Sequence, residues 1–179
     1  MDIGFDYKLN KNSIVFDVGG YKGDFTDYIV NKYNCGVHVF EPLKSHFKII
    51  LERFKNNPMV WPYSVALEDI DCEGNIRVLD NSSGLYADSG SLETIKIRDI
   101  YKFIKSFKYD KIDLIKLNCE GSEYKILDRL YFKNYINNIN NFVIQFHDVK
   151  DKNYYIDKLS QSHKINHKCD YWVWFELDS

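Results

Sequence analysis

The residues best suited to chemistry in this chain stand at the ends of two short apolar runs. Ile14-Val15-Phe16-Asp17-Val18 passes into Gly19-Gly20-Tyr21-Lys22-Gly23, and Val37-His38-Val39-Phe40 ends in Glu41. Glycines at such a place let the chain turn sharply and bring its backbone close to a ligand. In dinucleotide sites the turn and the helix behind it hold a pyrophosphate. Here Asp17 precedes the glycines, where its charge would repel a pyrophosphate, and suits a ligand with a positively charged amino-acid end. Glu41 follows Asp17 by 24 residues, the spacing at which an acid accepts hydrogen bonds from both hydroxyls of a ribose. S-adenosylmethionine satisfies both demands. Asp17, Gly19, Gly20, Gly23 and Glu41 are therefore the expected cofactor residues, with Ser64 and Ala66 bordering the adenine from the end of a third strand. Taken singly, a glycine turn is only a turn and a strand-end acid only a solvated charge; their order on consecutive strands is what carries weight.

The elements that must position these residues alternate between two periodicities. Residues 13–18, 36–41, 59–67, 112–117, 141–147 and 171–177 are β-branched or apolar runs that predict strands. Between them, Phe25, Tyr28, Ile29 and Tyr33 form a helical stripe over 24–33, and Phe47, Ile50, Leu51 and Phe54 another over 43–54. Helices are also expected over 99–107, 122–130 and 151–160. The stretch 68–91, rich in Gly, Ser, Asp and Asn, predicts a loop with one edge strand near 76–79. His38 alternates along its strand and reads as a structural residue. The pattern is α/β: a Rossmann-like, mostly parallel sheet with helices on both faces.

At 179 residues, 45% of them hydrophobic and 16% aromatic, the chain is expected to fold as one domain spanning 1–179. A formal charge of −2 gives no bulk attraction to nucleic acid or anionic membrane. No run approaches the roughly 18 apolar residues of a membrane span, and Met1 to Lys11 lacks a signal-peptide core. Cys35, Cys72, Cys119 and Cys169 form no CxxC pair, so reduced thiols and a cytoplasmic location are expected.

The segments VFDVGGYKGDFT, VHVFEP, SVALED, LETIKIRDI, IDLIKLNCEGSEYKIL and VIQFHD occur in that order from about Ile14 to Asp148. In them the chain resembles the FkbM-type methyltransferases. The resemblance implies a class I methyltransferase fold with a seven-stranded sheet, S-adenosylmethionine as cofactor, and O-methylation of a hydroxyl on a sugar, glycan or other small metabolite. Asn118 stands where the family pattern has an aspartate, and an asparagine cannot accept a proton. The chain also has a shorter segment before its first strand than many relatives, so acceptor coverage from a second subunit of a homo-oligomer is one expectation.

Methyl transfer to an alcohol asks an enzyme to align the acceptor oxygen and remove its proton. Glu120, His147 and Asp148 are the candidates at the C-terminal edge of the sheet, where ligands of open α/β sheets bind. Histidine has the pKa best matched to that task, so His147 is the expected base. Asn118, Glu120, His147 and Asp148 alternatively form an oxygen and nitrogen set for a divalent metal. In the bland alternative, Glu120 caps the helix opening at Ser122 and His147 only orients loops. Lys116 suggests the lysine–acid arrangement of ribose methyltransferases acting on RNA, which the charge balance disfavours. A non-catalytic cofactor-binding module is a further alternative, and a nicotinamide oxidoreductase is disfavoured by Asp17 and by Tyr21 in place of a glycine.

Overall fold

A computed structural model describes residues 5–78, 91–147, 149–169 and 171–178. Strands β1 (Ile14–Val18), β2 (Gly36–Phe40), β3 (Val60–Tyr63), β4 (Ala66–Glu68), β5 (Cys72–Val78), β6 (Ser91–Asp99), β7 (Leu114–Leu117), β8 (Asn141–Gln145), β9 (His163–Lys168) and β10 (Trp172–Leu177) alternate with helices α1 (Asp24–Tyr33), α2 (Lys44–Phe54), α3 (Ile100–Ser106), α4 (Glu123–Phe132) and α5 (Val149–Leu159). Seven strands form one sheet in the order β3-β2-β1-β7-β8-β10-β9. All pairings in it are parallel except those of β10, which runs antiparallel to both β8 and β9.

The period-2 alternation of the strands divides the core in two. Val15, Val37, Val39, Leu114 and Val143 face α1 and α2, where they meet Phe25, Ile29, Val30, Ile50 and Phe54. Their neighbours Phe16, Phe40, Ile115, Leu117, Phe142 and Ile144 face α3, α4 and α5, among Ile104, Ile126, Leu130, Ile156 and Leu159. Buried on both faces, β1, β2, β7 and β8 need the continuous apolar runs the sequence shows. The chain leaves β1 toward β2 and β3 and returns to the other side of β1 as β7. Such a reversal, here at the C-terminal ends of β1 and β7, is the place where open α/β sheets take ligands.

Two expectations are corrected here. The strand expected over 59–67 breaks at Ser64-Val65, and Ala66 opens β4, which belongs to a second, three-stranded sheet in the order β4-β6-β5. The edge strand expected near residues 76–79 begins earlier, as β5 over Cys72–Val78. Cys72–Val78 and Ser91–Asp99 pair antiparallel over a small core of Leu43, Ile76, Ile95 and Ile97. This sheet is tied to α4 through Glu68, which accepts from Ser122 Oγ at 2.8 Å and Lys125 Nζ at 3.0 Å. Asp99 caps α3, accepting from the N–H groups of Tyr101 and Lys102, and also takes a bond from Arg129 of α4. Residues 79–90 lie outside the described residues.

Candidate active site

The glycine turn after β1 is held from three sides. Gly19 adopts φ +79°, and a Cβ there would stand 1.8 Å from the Asn118 carbonyl oxygen, so β7 and the turn touch only because residue 19 has no side chain. The N–H groups of Gly19 and Gly20 both donate to Phe40 O, at 3.0 and 2.9 Å. Tyr21 N donates to Glu41 Oε2 at 2.8 Å. Donors that would cradle a pyrophosphate are thus already engaged, which agrees with a ligand other than a dinucleotide. Gly23, at φ +85°, is the N-cap position of α1, and a Cβ on it would meet the Phe54 ring at 2.6 Å.

Asp17 is 0% exposed. Its Oδ2 accepts from Thr26 Oγ1 at 2.7 Å and its Oδ1 from Lys116 Nζ at 2.9 Å, while Lys116 also donates to Gly19 O at 2.6 Å. Asp17 was expected to meet a ligand's ammonium; the partners it has here are Thr26 and Lys116. A carboxylate with both oxygens bonded inside the fold lies under the turn, and with Lys116 it fixes the turn from below. Lys116 is nearly as enclosed, at 4% exposed.

Glu41, 6% exposed, ends β2 beside β3, since its N–H donates to Tyr63 O at 3.0 Å. Its carboxylate accepts from Tyr21 N and, through Oε1, from Leu43 N at 2.9 Å. Each oxygen keeps a second lone pair for a hydroxyl donor. Burial pushes this carboxyl up to about 7 against those two backbone bonds. Ser64 follows β3 directly and so adjoins Glu41. Ala66 instead pairs with Ile97 in the small sheet and packs against that sheet's core.

A second cluster lies at the ends of β7 and β8. His147 Nδ1 is 2.9 Å from Glu123 Oε1, and its Nε2 is 3.4 Å from Glu120 Oε1. Burial works to lower the imidazole, but bonds to Glu120 and Glu123 outweigh it and push His147 up to about 9. For Glu123 burial works upward, and His147 with the backbone N–H of Cys119 holds the carboxyl below its ordinary range. Glu123 was not singled out in the sequence. It, and not Glu120, ties the loop before α4, accepting from Cys119 N and Gly121 N at 2.8 Å each. The signal was present as a second acid three residues after Glu120, at the start of a helical stripe. Glu120 sits at φ 52° with its side chain 37% exposed. Beside this cluster, Asn118 Oδ1 and Gln145 Oε1 are buried without hydrogen-bond partners. The β7–β8 register, Leu117 opposite Ile144, carries on to set these two carboxamides on neighbouring chain ends.

The metal alternative does not fit this geometry. Both imidazole nitrogens face carboxylates, and among the described residues no three His, Cys, Asp or Glu side chains are placed to hold an ion. Asp148, the fourth member of that set, lies outside the described residues.

A seven-stranded sheet with an antiparallel β10, a glycine turn after β1 and an acid at the tip of β2 defines the class I methyltransferase fold. The fold is shared with an rRNA methylase from Streptococcus thermophilus (TM-score 0.56, 11% identity, covering 96% of this chain and 90% of that one). It is shared with the precorrin-6y C5,15-methyltransferase of Geobacter metallireducens (TM-score 0.59, 10% identity, 96% and 83%). TrmK of M. capricolum, in complex with S-adenosylhomocysteine, is similar as well (TM-score 0.50, 17% identity, 94% and 62%). The model of the methyltransferase FkbM domain matches residues 17–171, and the chain belongs to that family of methyltransferases, with S-adenosylmethionine as the methyl donor. No curated protein matches the chain. No helix among the described residues is long and apolar enough to cross a membrane.

Proposed function

We propose that the chain transfers a methyl group to a hydroxyl oxygen of a sugar, glycan or related metabolite. The Glu123–His147 pair carries this reading. A buried carboxylate on Nδ1 fixes the orientation of the ring, and once Nε2 has lost the proton it holds toward Glu120 it takes one from an acceptor hydroxyl, the logic of a carboxylate–histidine dyad. Glu120, the most exposed of the three, borders the acceptor side and holds the imidazolium formed. At the other end, Glu41 takes the ribose hydroxyls, Ser64 borders the nucleoside, and Asp17 with Lys116 holds Gly19, Gly20 and Gly23 in the shape the donor needs. The cofactor supplies a methyl group on a sulfonium that is already activated for displacement.

Methyl-labelled donor offered with a panel of free sugars, nucleotide sugars, polysaccharide ends and RNA tests the reading. Label is expected in the carbohydrate set. His147→Ala is expected to lower turnover by about 10²–10⁴-fold with S-adenosylhomocysteine affinity kept. Label in RNA alone would move the acceptor to RNA, on which the rRNA methylase neighbour is named to act. The enclosed Lys116 and the net charge of −2 weigh against that outcome. Donor binding with no turnover on any acceptor would make the chain a binding module.

A further inference from the structure

We propose that Tyr21 and His46 form an aromatic clasp that packs on the adenosine portion of the cofactor, with Tyr21 setting nucleoside affinity. The proposal rests on Glu41 as the ribose acceptor. Tyr21 occupies the middle of the glycine turn at φ 51°, a left-handed conformation that glycine adopts freely and a bulky aromatic residue rarely does. Its N–H is the one that anchors Glu41 Oε2, so the strained turn and the ribose acid form one unit. The ring is not needed to fill the core, because Tyr21 is 39% exposed. It meets the edge of the His46 ring with centroids 4.5 Å apart and planes at 73°. His46 comes from the first turn of α2, and its Nδ1 lies 3.8 Å from Glu41 Oε1. One ring from the glycine turn and one from the first turn of α2 therefore flank one buried carboxylate. Lys22 Nζ lies 4.9 Å from the centre of the Tyr21 ring, an exposed cation–π contact that a nucleoside can displace. Strain kept at a position that glycine would occupy without cost, together with an exposed ring beside a ribose acid, points to a side chain used by the ligand.

Calorimetric titrations of Tyr21→Gly, Tyr21→Phe, His46→Ala and Glu41→Ala decide the matter. The probes are S-adenosylhomocysteine and 5′-methylthioadenosine, which keeps the nucleoside and lacks the amino acid. Tyr21→Gly is expected to weaken both by about tenfold, as loss of one base–aromatic contact does. Its ligand-free melting temperature should hold within about 2 °C, because relief of left-handed strain offsets the added chain entropy. Tyr21→Phe is expected to bind as the parent does, and His46→Ala to lose a few-fold on both probes. Unchanged affinities in both Tyr21→Gly and His46→Ala, with Glu41→Ala failing to bind, would overturn the clasp and spare the ribose acid. Weakening confined to S-adenosylhomocysteine would place the rings at the amino-acid end and also overturn it. Full binding by Glu41→Ala would remove the underlying reading itself.

Discussion

His147 is held between two carboxylates, and its protonation links the stability of the fold to the chemistry of the site. Its value is about 9 in the folded chain against an ordinary value of 6.5, so the native state holds the proton more tightly. The stabilisation is fully present below pH 6.5 and is lost as the pH rises through 9, amounting to about 3 kcal/mol at most. Denaturant melts at pH 6 and pH 9.5 should show that loss in the parent and little of it in His147→Gln; equal losses in both would mean the imidazole is not clamped as described. The base form gains where stability falls. Methylation of a hydroxyl acceptor should climb with pH toward 9, and Glu120→Gln, which removes one carboxylate from the ring, should move that rise to lower pH. Glu41 runs in the same sense, over a lower pH range. Its carboxyl is raised to about 7 from 4.5, so its contribution to stability falls as pH rises from 4.5 to 7 and stays low above that. Ribose hydroxyls need the carboxylate form, so binding of S-adenosylhomocysteine should expel a proton below pH 7. Affinity should then drop by up to about tenfold per pH unit on the acid side. Calorimetry in buffers of different ionisation enthalpy measures that proton directly, and no proton release at pH 6 would contradict a ribose role for Glu41.

Elements position these groups by close approach. The turn after β1 lies against the end of β7 at Gly19, and any Cβ there drives into the Asn118 carbonyl. Gly19→Ala should therefore cost about 3 kcal/mol or more, the sum of left-handed strain and a displaced backbone, and should abolish cofactor binding. Preserved binding with parental melting would show that β7 can recede from the turn. The turn was legible in the sequence because local chemistry dictates it: glycines, an acid before them and a helical stripe behind. The helix over 24–33 ends where expected because Gly23 at φ +85° opens it and Asn34 at φ 51° closes it. Of the small sheet only an edge strand near 76–79 was legible, since β5 carries Glu, Gly, Asn and Arg among its residues and packs its apolar ones with residues of β6 and Leu43. Strand β9, HKINHK, is nearly all exposed and shows too little alternation to announce itself; it is defined by pairing with β10. The same limit applies to side-chain direction. The sequence marks Asp17 and His147 as able to do chemistry, whereas the partners that turn one inward and charge the other, Lys116, Thr26, Glu120 and Glu123, come together only through the crossing of β1, β7, β8 and α4.

On the scale of the molecule, two cores meet across one sheet, with α1 and α2 behind one face and α3, α4 and α5 behind the other. A ligand touching Glu41, the glycine turn and the end of β7 bridges segments that belong to both, so its binding energy should register as stability of the whole fold. S-adenosylhomocysteine at one hundred times its dissociation constant should add about 2.7 kcal/mol by mass action. For a chain of this length that is a rise of about 5–10 °C in melting temperature. The rise should vanish in Glu41→Ala and persist in His147→Ala, because the first removes a ribose contact and the second only a proton acceptor. Hydrogen exchange adds the spatial part: slower exchange is expected at residues 19–23 and 41–47, with β5 and β6 of the small sheet little changed. Saturating ligand that left the melt unmoved while calorimetry recorded binding would mean that the unfolded chain binds it as well as the folded one does. Slowed exchange centred on β5 and β6 would place it on the small sheet instead.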